Sequence, residues 1–404
     1  MLWPVCVRRS TPCIEARGDE GAVRPHQFSR AVCPSGANDG GARRHGVGHR
    51  RANGARQSRR RPCQVQARAW LHARHFGCAT RFESDAIRGV AAMEAAQALA
   101  QCGFTPDVIF GHLGWGETQF LDAVWPQARS LVYAEFFTRP SGLDVGFDPE
   151  FPSLDPVGFA RVRSKTASLA MTLLNAFAGL SPTHFQRSTL PAELQAKIEV
   201  IHDAVDVAAA RPRADAIFTL PNGVVFGAGD EVVTHLNRNL EPLRGLHIFL
   251  RALPAILAAR PKAQIVIVGD ENGTPYGMAH PKGTTWQAHF LKEIEGQCDL
   301  SRVHCLGKIE RARYLDLLAV SAAHVDLTYP FVRSWSLIEA MSVGCAIIAS
   351  DIAPVRQAIA HGQTGILFDF FDPAVLAGHV IEALANPGRV VRLGGAARAC
   401  GGIL

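Results

Sequence analysis

The sequence predicts an α/β fold of doubly wound domains, and three observations carry that expectation. Short apolar runs, such as Val108-Ile109-Phe110, Leu131-Val132-Tyr133 and Ile265-Val266-Ile267-Val268, lack the polar alternation of a half-exposed sheet and read as strands buried on both faces. Between them lie stretches with apolar residues every three or four positions, as in Ala86–Cys102, which Gly103 closes. The chain has 404 residues, 48% of them hydrophobic, which is enough for two domains and too much for one ordinary core.

Residues 1–75 are read as a disordered basic segment. Residues 1–68 hold 14 Arg, no Lys and the acids Glu15, Asp19, Glu20 and Asp39, a net of +10 against +6 for the whole chain, which leaves −4 for the rest. Neither strand alternation nor a helical apolar stripe runs through it. An organelle transit peptide, an arm for nucleic acid or anionic lipid, and an idle tail all fit that composition. A start translated out of frame explains more. Gln27–Val32, read one nucleotide later, can hide Asn-Phe-Pro-Gly-Gln-Phe, and Gly40–Val47 can hide Ala-Gly-His-Asp-Val-Met-Ala-Leu in the same frame. Those strings suit the glycine loop, helix and second strand that open a nucleotide-binding α/β domain. The mildly acidic body gives no electrostatic case for nucleic acid as a partner.

From Phe82 the pattern is regular. Strands at 108–110 and 131–133 continue the alternation to about Val207. A second block opens near Asp215 with a hairpin turn at Asn222-Gly223. Strands follow at 232–236, 264–268, 303–306, 324–327, 346–349 and 366–368, with helices at 247–259, 336–343 and 373–385. The expected division is 1–75 as the basic segment, 76–210 as a first, incomplete domain, 211–390 as a second, and 391–404 as a shortened tail. No run of 18 apolar residues suggests a membrane-spanning helix. Ten cysteines without a Cys-x-x-Cys pair fit reduced thiols better than a zinc site or disulfide framework.

Two loops carry the candidate chemistry. In Asn237-Arg238-Asn239-Leu240-Glu241-Pro242-Leu243-Arg244-Gly245, two guanidiniums on a strand-to-helix loop can converge on one anionic group, with Glu241 holding them in register. A solvated charged turn fits the spacing equally well. In Tyr329–Gly344, loop amides beside Ser334, Trp335 and Ser336 can hold a phosphate or sugar hydroxyl while Glu339 accepts from ribose. The alternative is a capping box in which Ser336 caps the helix and Glu339 reaches back. On the first domain, Gly111-His112-Leu113-Gly114-Trp115-Gly116-Glu117 places His112 at a strand end, able to orient or deprotonate a hydroxyl, with Glu117 nearby. Glu135, Asp144, Asp148 and Glu150 read as solvated loop acids, and His202 and His361 receive no role.

Together, N-R-x-L-E-P-x-R-G at 237–245, Y-P-F-x-x-S-W-S-x-x-E-A-M at 329–341 and A-S-D-x-A-P-V-R at 349–356 make the region from Phe82 to Asp372 resemble family 4 of the retaining glycosyltransferases. The resemblance implies the GT-B fold, two Rossmann-like domains facing a cleft. It implies transfer of a sugar from a UDP- or GDP-sugar to a glycan or lipid-linked acceptor with retention, in polysaccharide biosynthesis. By that implication Arg238 and Arg244 grip the diphosphate, Glu339 the ribose, the Ser334–Ser336 loop the phosphate or donor sugar, and Gly111, His112 and Glu117 lie on the acceptor side. No Asp-x-Asp stands in a matching context, so no metal or other cofactor is expected. A cytoplasmic location, at most with peripheral contact at the inner face of the plasma membrane, goes with such acceptors. The sequence departs from the family pattern at Phe331, where many members carry a first Glu, and at Ala204, where a glycine is expected. These departures and the unusual ends keep a second reading open: an inactive chain that still binds nucleoside diphosphate.

Overall fold

The computed structural model describes residues 6–8, 77–151 and 154–401. The remaining expectations for the basic segment and for 402–404 lie outside the described residues. The elements run β1 (Cys6–Arg8), α1 (Thr80–Gln101), β2 (Val108–His112), β3 (Arg129–Tyr133), α2 (Pro156–Asn175), β4 (Ala178–Ser181), α3 (His184–Ser188), α4 (Ala192–Gln195) and β5 (Ile198–Val200). The second half of the chain gives β6 (Ile217–Thr219), β7 (Val225–Gly227), β8 (Val232–Asn239), α5 (Leu246–Ala259), β9 (Gln264–Asp270), α6 (Trp286–Glu293), β10 (Val303–Cys305), α7 (Arg311–Val320) and β11 (Ala323–Asp326). It ends with α8 (Trp335–Val343), β12 (Ile347–Ser350), α9 (Ala353–Arg356), β13 (Ile366–Phe368), α10 (Pro373–Ala385) and α11 (Pro387–Gly401). The strands form a five-stranded sheet of order β1-β2-β3-β4-β5, a six-stranded sheet and the β6-β7 hairpin.

Packing divides the chain into two compact units, Met1–Tyr133 with Ser168–Gly179, and Ala134–Ala167 with Leu180–Leu404. In the first, β2 and β3 pair in parallel from Val108↔Arg129 to His112↔Tyr133. β1 adds an antiparallel edge, Cys6 opposite Phe110, a strand the sequence pattern did not foretell. Ala96 of α1 packs with Ile109, Leu121 and Trp125. Gly103 stops α1 region with φ 81°, the left-handed conformation that glycine adopts without a steric penalty.

The second unit holds the six-stranded sheet, of order β10-β9-β8-β11-β12-β13 and parallel throughout. Its strands are apolar on both faces because both are covered. Val233, Ile265, Ile267, Val325 and Ile348 face α5 and α10. Val232, Leu236, Val266, Val268 and Ile347 face α7 and α8. The chain enters at β8, winds outward to β9 and β10, then returns to β11 on the other side. The carboxyl ends of β8 and β11 are therefore the topological switch point, where doubly wound sheets bind ligands.

Two local findings revise the sequence reading. Segment 391–404 was expected as a tail, but α11 continues through Gly401. Gly394 lets it approach closely, since a Cβ there would lie 1.9 Å from the Gly344 carbonyl oxygen. Ala204 is not strained, because no described non-glycine residue has positive φ. Gly223 turns the β6-β7 hairpin with φ 88°, as the Asn-Gly pair foretold.

Candidate functional site

Both sequence-singled loops sit at the switch point. β8 runs to Asn239, beyond its apolar stretch. A single 3-10 turn, Pro242–Arg244, leads into α5. Gly245 makes the corner with φ 66°, and a Cβ there would stand 2.3 Å from that of Leu327. Only glycine allows the start of α5 to lie this close to the loop after β11.

Arg244 is buried and fixed. Its Nη1 donates to Thr328 Oγ1 at 3.0 Å and to the Val332 carbonyl at 3.1 Å, and its guanidinium lies over the Phe331 ring at 5.4 Å. This joins the two motifs physically. Arg238 is exposed, donates to the Tyr276 hydroxyl and lies over that ring at 5.3 Å. Tyr276 in turn packs against Phe331 at 5.6 Å, and Phe136 meets Phe331 edge-on at 4.8 Å. The residue in the expected glutamate's place is thus the centre of an aromatic cluster flanked by two guanidiniums.

Glu241 does not hold the arginines in register. It is fully buried, and its two oxygens accept from the amides of Tyr276 and Gly277 at 3.1 and 2.9 Å. Burial raises its pKa, against those amides and the charge of Arg244. It anchors the 271–285 loop that carries Tyr276.

At α8 the cap is Ser334, not Ser336. Ser334 Oγ accepts from the Leu337 amide at 3.1 Å and donates to Asp326 Oδ1 at 2.6 Å. Ser336 donates to Ser334 at 3.1 Å. Both hydroxyls stand at the positive end of α8, where backbone amides favour an anion. The Glu339 carboxylate does not reach back to cap. It pairs with Arg311 of α7 and is 8% exposed. Trp335 Nε1 donates to Asp203 Oδ2 at 2.9 Å, which ties the 201–206 segment to this loop. Burial and then the charge of Arg333 lower the pKa of His202, so a histidine given no role belongs to the same surroundings. Asp326, at the end of β11, was also missed. Burial raises its pKa, opposed by the Ser334 hydroxyl and Arg244.

Of the loop acids Asp148 was misread most clearly, whereas Glu150 is exposed as expected. Asp148 is 4% exposed and accepts from His247 Nε2 at 2.9 Å, the Tyr329 hydroxyl at 2.8 Å and the Glu150 amide at 3.0 Å. Burial opposes its ionisation, yet these donors hold its pKa below the ordinary value. Glu150 receives both arms of Arg251 at 2.6 and 2.7 Å. Asp148, Glu150 and His247 have ligand atoms within 4.8 Å of one another, as in a metal set. The donor set does not fit a cation, because His247, Tyr329 and Arg251 already donate into it and Arg251 brings its own positive charge. Asp144 is solvent-poor as well, and burial pushes its pKa up to about 6.

In the first unit, the 111–117 loop is held by α1. Arg81 and Arg88 donate to the carbonyls of Gly114 and Trp115 at 2.7 and 2.6 Å. Both pair with buried Asp85, which also accepts from Ser168 at 2.9 Å. Gly116 has φ 85°, and a Cβ there would meet the Asp85 carbonyl oxygen at 2.2 Å. Gly111 is the penultimate residue of β2. His112 Nδ1 accepts from the Gly114 amide at 3.0 Å. That bond occupies Nδ1, the lone pair a base would use, and places the ring proton on Nε2. His112 can therefore orient a hydroxyl, and the expectation that it deprotonates one is withdrawn. Glu117 has a buried Oε1 without a hydrogen-bond partner among the described residues. Burial raises its pKa, against its own amide and the charges of Arg88 and His112.

Comparison with known proteins gives the family and the fold. A model described as glycosyl transferase family 4 group matches residues 49–210, and one described as glycosyl transferases group 1 matches 231–386. A D-inositol 3-phosphate glycosyltransferase of Segniliparus rotundus is 27% identical over 200 residues, 49% of this chain and 41% of the relative. A phosphatidyl-myo-inositol mannosyltransferase of Mycobacterium leprae is 25% identical over 174 residues, 43% of this chain and 42% of the relative. The matched stretches thus span less than half the length of these relatives. Among solved structures, sucrose-phosphate synthase from Thermosynechococcus elongatus superposes with TM-score 0.63 at 18% identity, over 84% of this chain and 78% of that one. Anabaena HepE in complex with UDP-glucose gives TM-score 0.52 at 16% identity, over 77% of each chain.

Proposed function

Because the chain belongs to the family 4 glycosyltransferases of GT-B fold, we propose that it transfers a sugar from a UDP- or GDP-sugar to a glycan or lipid-linked acceptor, with retention of configuration and without a metal. The observation that supports this best is the bond from Arg244 to the Val332 carbonyl. It brings an arginine of one motif onto the loop that leads into α8, at the sheet's switch point.

Breaking the bond between the sugar and the nucleoside diphosphate leaves an oxocarbenium-like sugar and negative charge on the departing phosphate. Arg238 is exposed and aimed from the end of β8, so it can meet that charge directly. Arg244 is already held by Thr328 and Val332, so it needs little reorganisation to join. The α8 amides and the Ser334 and Ser336 hydroxyls complete the anion-binding side. Glu339 would take the ribose hydroxyls by exchanging its Arg311 partner for them. On the acceptor side His112 donates from Nε2, while Glu117 supplies an acceptor oxygen. Same-face attack assisted by the leaving phosphate accounts for retention without a dedicated carboxylate pair. Polysaccharide assembly at the cytoplasmic side of a membrane is the setting this reading suggests. No described helix is long and apolar enough to cross a membrane.

Isothermal titration of UDP and GDP, followed by a donor-hydrolysis assay, tests the proposal. Binding of one nucleotide with slow donor hydrolysis is expected. Binding without hydrolysis would remove the transfer activity from the proposal, and binding of neither nucleotide would overturn it.

A further inference from the structure

The segment 144–151 is built into the nucleotide-side unit as a strap. Phe147 packs on Tyr329 at 5.0 Å and on Phe370 and Phe371 at 5.5 and 5.1 Å. Phe151 meets the rings of His247 and Trp286 edge-on at 5.4 and 5.5 Å. Between these two anchors Asp148 points inward. Its Oδ2 takes hydrogen bonds from His247 on α5 and from the Tyr329 hydroxyl, and its Oδ1 takes the Glu150 amide. Glu150 clamps the outer end through Arg251, also on α5.

Two of those partners lead straight to the anion-binding residues. Tyr329 opens the loop whose next residues include Val332, the carbonyl that holds Arg244, and its own amide donates to the Leu243 carbonyl at 3.0 Å. His247 is the second residue of α5, two positions beyond the Gly245 corner. Asp148 therefore bridges the two loops of the switch point, one through each acceptor bond on Oδ2. A carboxylate that is buried and accepts from both loops fixes their separation more tightly than apolar packing alone, because charge-assisted hydrogen bonds are short and directional.

We infer that Asp148 is a positioning residue of the diphosphate site, setting the spacing between the Arg244 turn and the 329–334 loop by holding His247 and Tyr329 together. The inference rests on the proposed function. It predicts that Asp148 acts through Arg244 and touches no ligand itself.

The test is a double-mutant cycle read by titration of UDP and GDP, with thermal midpoints recorded in parallel. Asp148→Asn and Tyr329→Phe are each made in the full chain and again together with Arg244→Ala. Each single change is expected to weaken nucleotide affinity by about 3- to 30-fold when Arg244 is present, and by less than about twofold when Arg244 is already Ala. Tyr329→Phe keeps the ring packed on Phe147 and removes only the hydroxyl, so it carries the test if Asp148→Asn does not fold. A lowered thermal midpoint with unchanged affinity would make Asp148 a purely structural residue and overturn the inference. Equal losses with and without Arg244 would also overturn it, since the effect would then bypass that arginine. An absence of binding by the unmutated chain would overturn the functional reading and this inference together.

Discussion

The arginines beside the 111–117 loop of the first unit and those of the 237–245 loop of the second do opposite work. In the first unit, Arg81 and Arg88 are spent on the protein itself, donating to carbonyls of the 111–117 loop and pairing with Asp85. In the second, Arg244 rests on one hydroxyl and one carbonyl, and Arg238 on a tyrosine hydroxyl, with no carboxylate paired to either among the described residues. A guanidinium neutralised by a carboxylate is a brace, whereas one held by neutral groups keeps its charge for an anionic ligand. The glycine corners are alike in both units, so the difference lies in charge pairing and not in backbone design.

The largest effect should come from the corners. Gly245→Ala must leave a left-handed φ and push against Leu327, and is expected to cost about 3 kcal/mol or more and to abolish nucleotide binding. Gly116→Ala faces the Asp85 backbone at 2.2 Å and should cost a similar amount in chemical denaturation. If the protein still folds, its nucleotide affinity should be unchanged. Loss of affinity in folded Gly116→Ala protein would break the comparison.

Next in size are the arginines. Arg244→Ala should weaken nucleotide binding by about 1.5–3 kcal/mol, the range for hydrogen bonds to charged groups. Arg88→Ala should lower stability by about 1–2 kcal/mol, because Asp85 keeps Arg81 and Ser168 as partners, and should leave affinity within about twofold.

A pH dependence sharpens the picture of the second unit. His235 and His324 are fully buried, and burial pushes their pKa values down to about 4 and about 3 from 6.5. Between pH 6.5 and about 4 the unfolded chain binds two more protons at these positions, so their contribution is complete above pH 6.5 and is lost on acidification. Asp144, raised from 3.8 to about 6, works the other way over part of that window, since the folded chain keeps its proton. For these three groups alone about one net proton remains, a partial slope of roughly 1.4 kcal/mol per pH unit between pH 4 and 6, and the raised carboxyls of Glu117, Glu241 and Asp326 work against it as Asp144 does. Urea melts of the unmutated chain beside His235→Gln at several pH values check the histidine part: the loss on acidification should be smaller in the variant, and equal losses would contradict it.

The smallest effect concerns His112. His112→Gln retains an N–H donor and should reduce donor turnover by about tenfold or less, while His112→Ala should reduce it further. Nucleotide affinity should be the same in both. Equal turnover in the two variants would argue against a donor role for Nε2–H.

What the sequence revealed and what it hid follow from the range of the interactions. Strands such as Gln264–Asp270 are legible because burial on both faces makes the local run apolar. The switch-point glycine and arginines are legible because they share one short loop. Asp148 is not, since its partners His247 and Tyr329 lie 99 and 181 residues away and nothing local marks its burial. α11 hides for a compositional reason: Gly394 and Gly395 look like a breaker, and only the Gly344 backbone opposite explains the need for a residue without a side chain. The choice between Ser334 and Ser336 as cap depends on Asp326, which the loop sequence does not contain.

The most direct measurement is a paired calorimetric titration of UDP and GDP into Arg244→Ala and Arg88→Ala, each beside the unmutated chain. If the charge of the second unit serves a nucleoside diphosphate, affinity falls by at least about tenfold in Arg244→Ala and stays within about twofold in Arg88→Ala. Equal affinities in all three, or an equal loss in both variants, would contradict that division of labour.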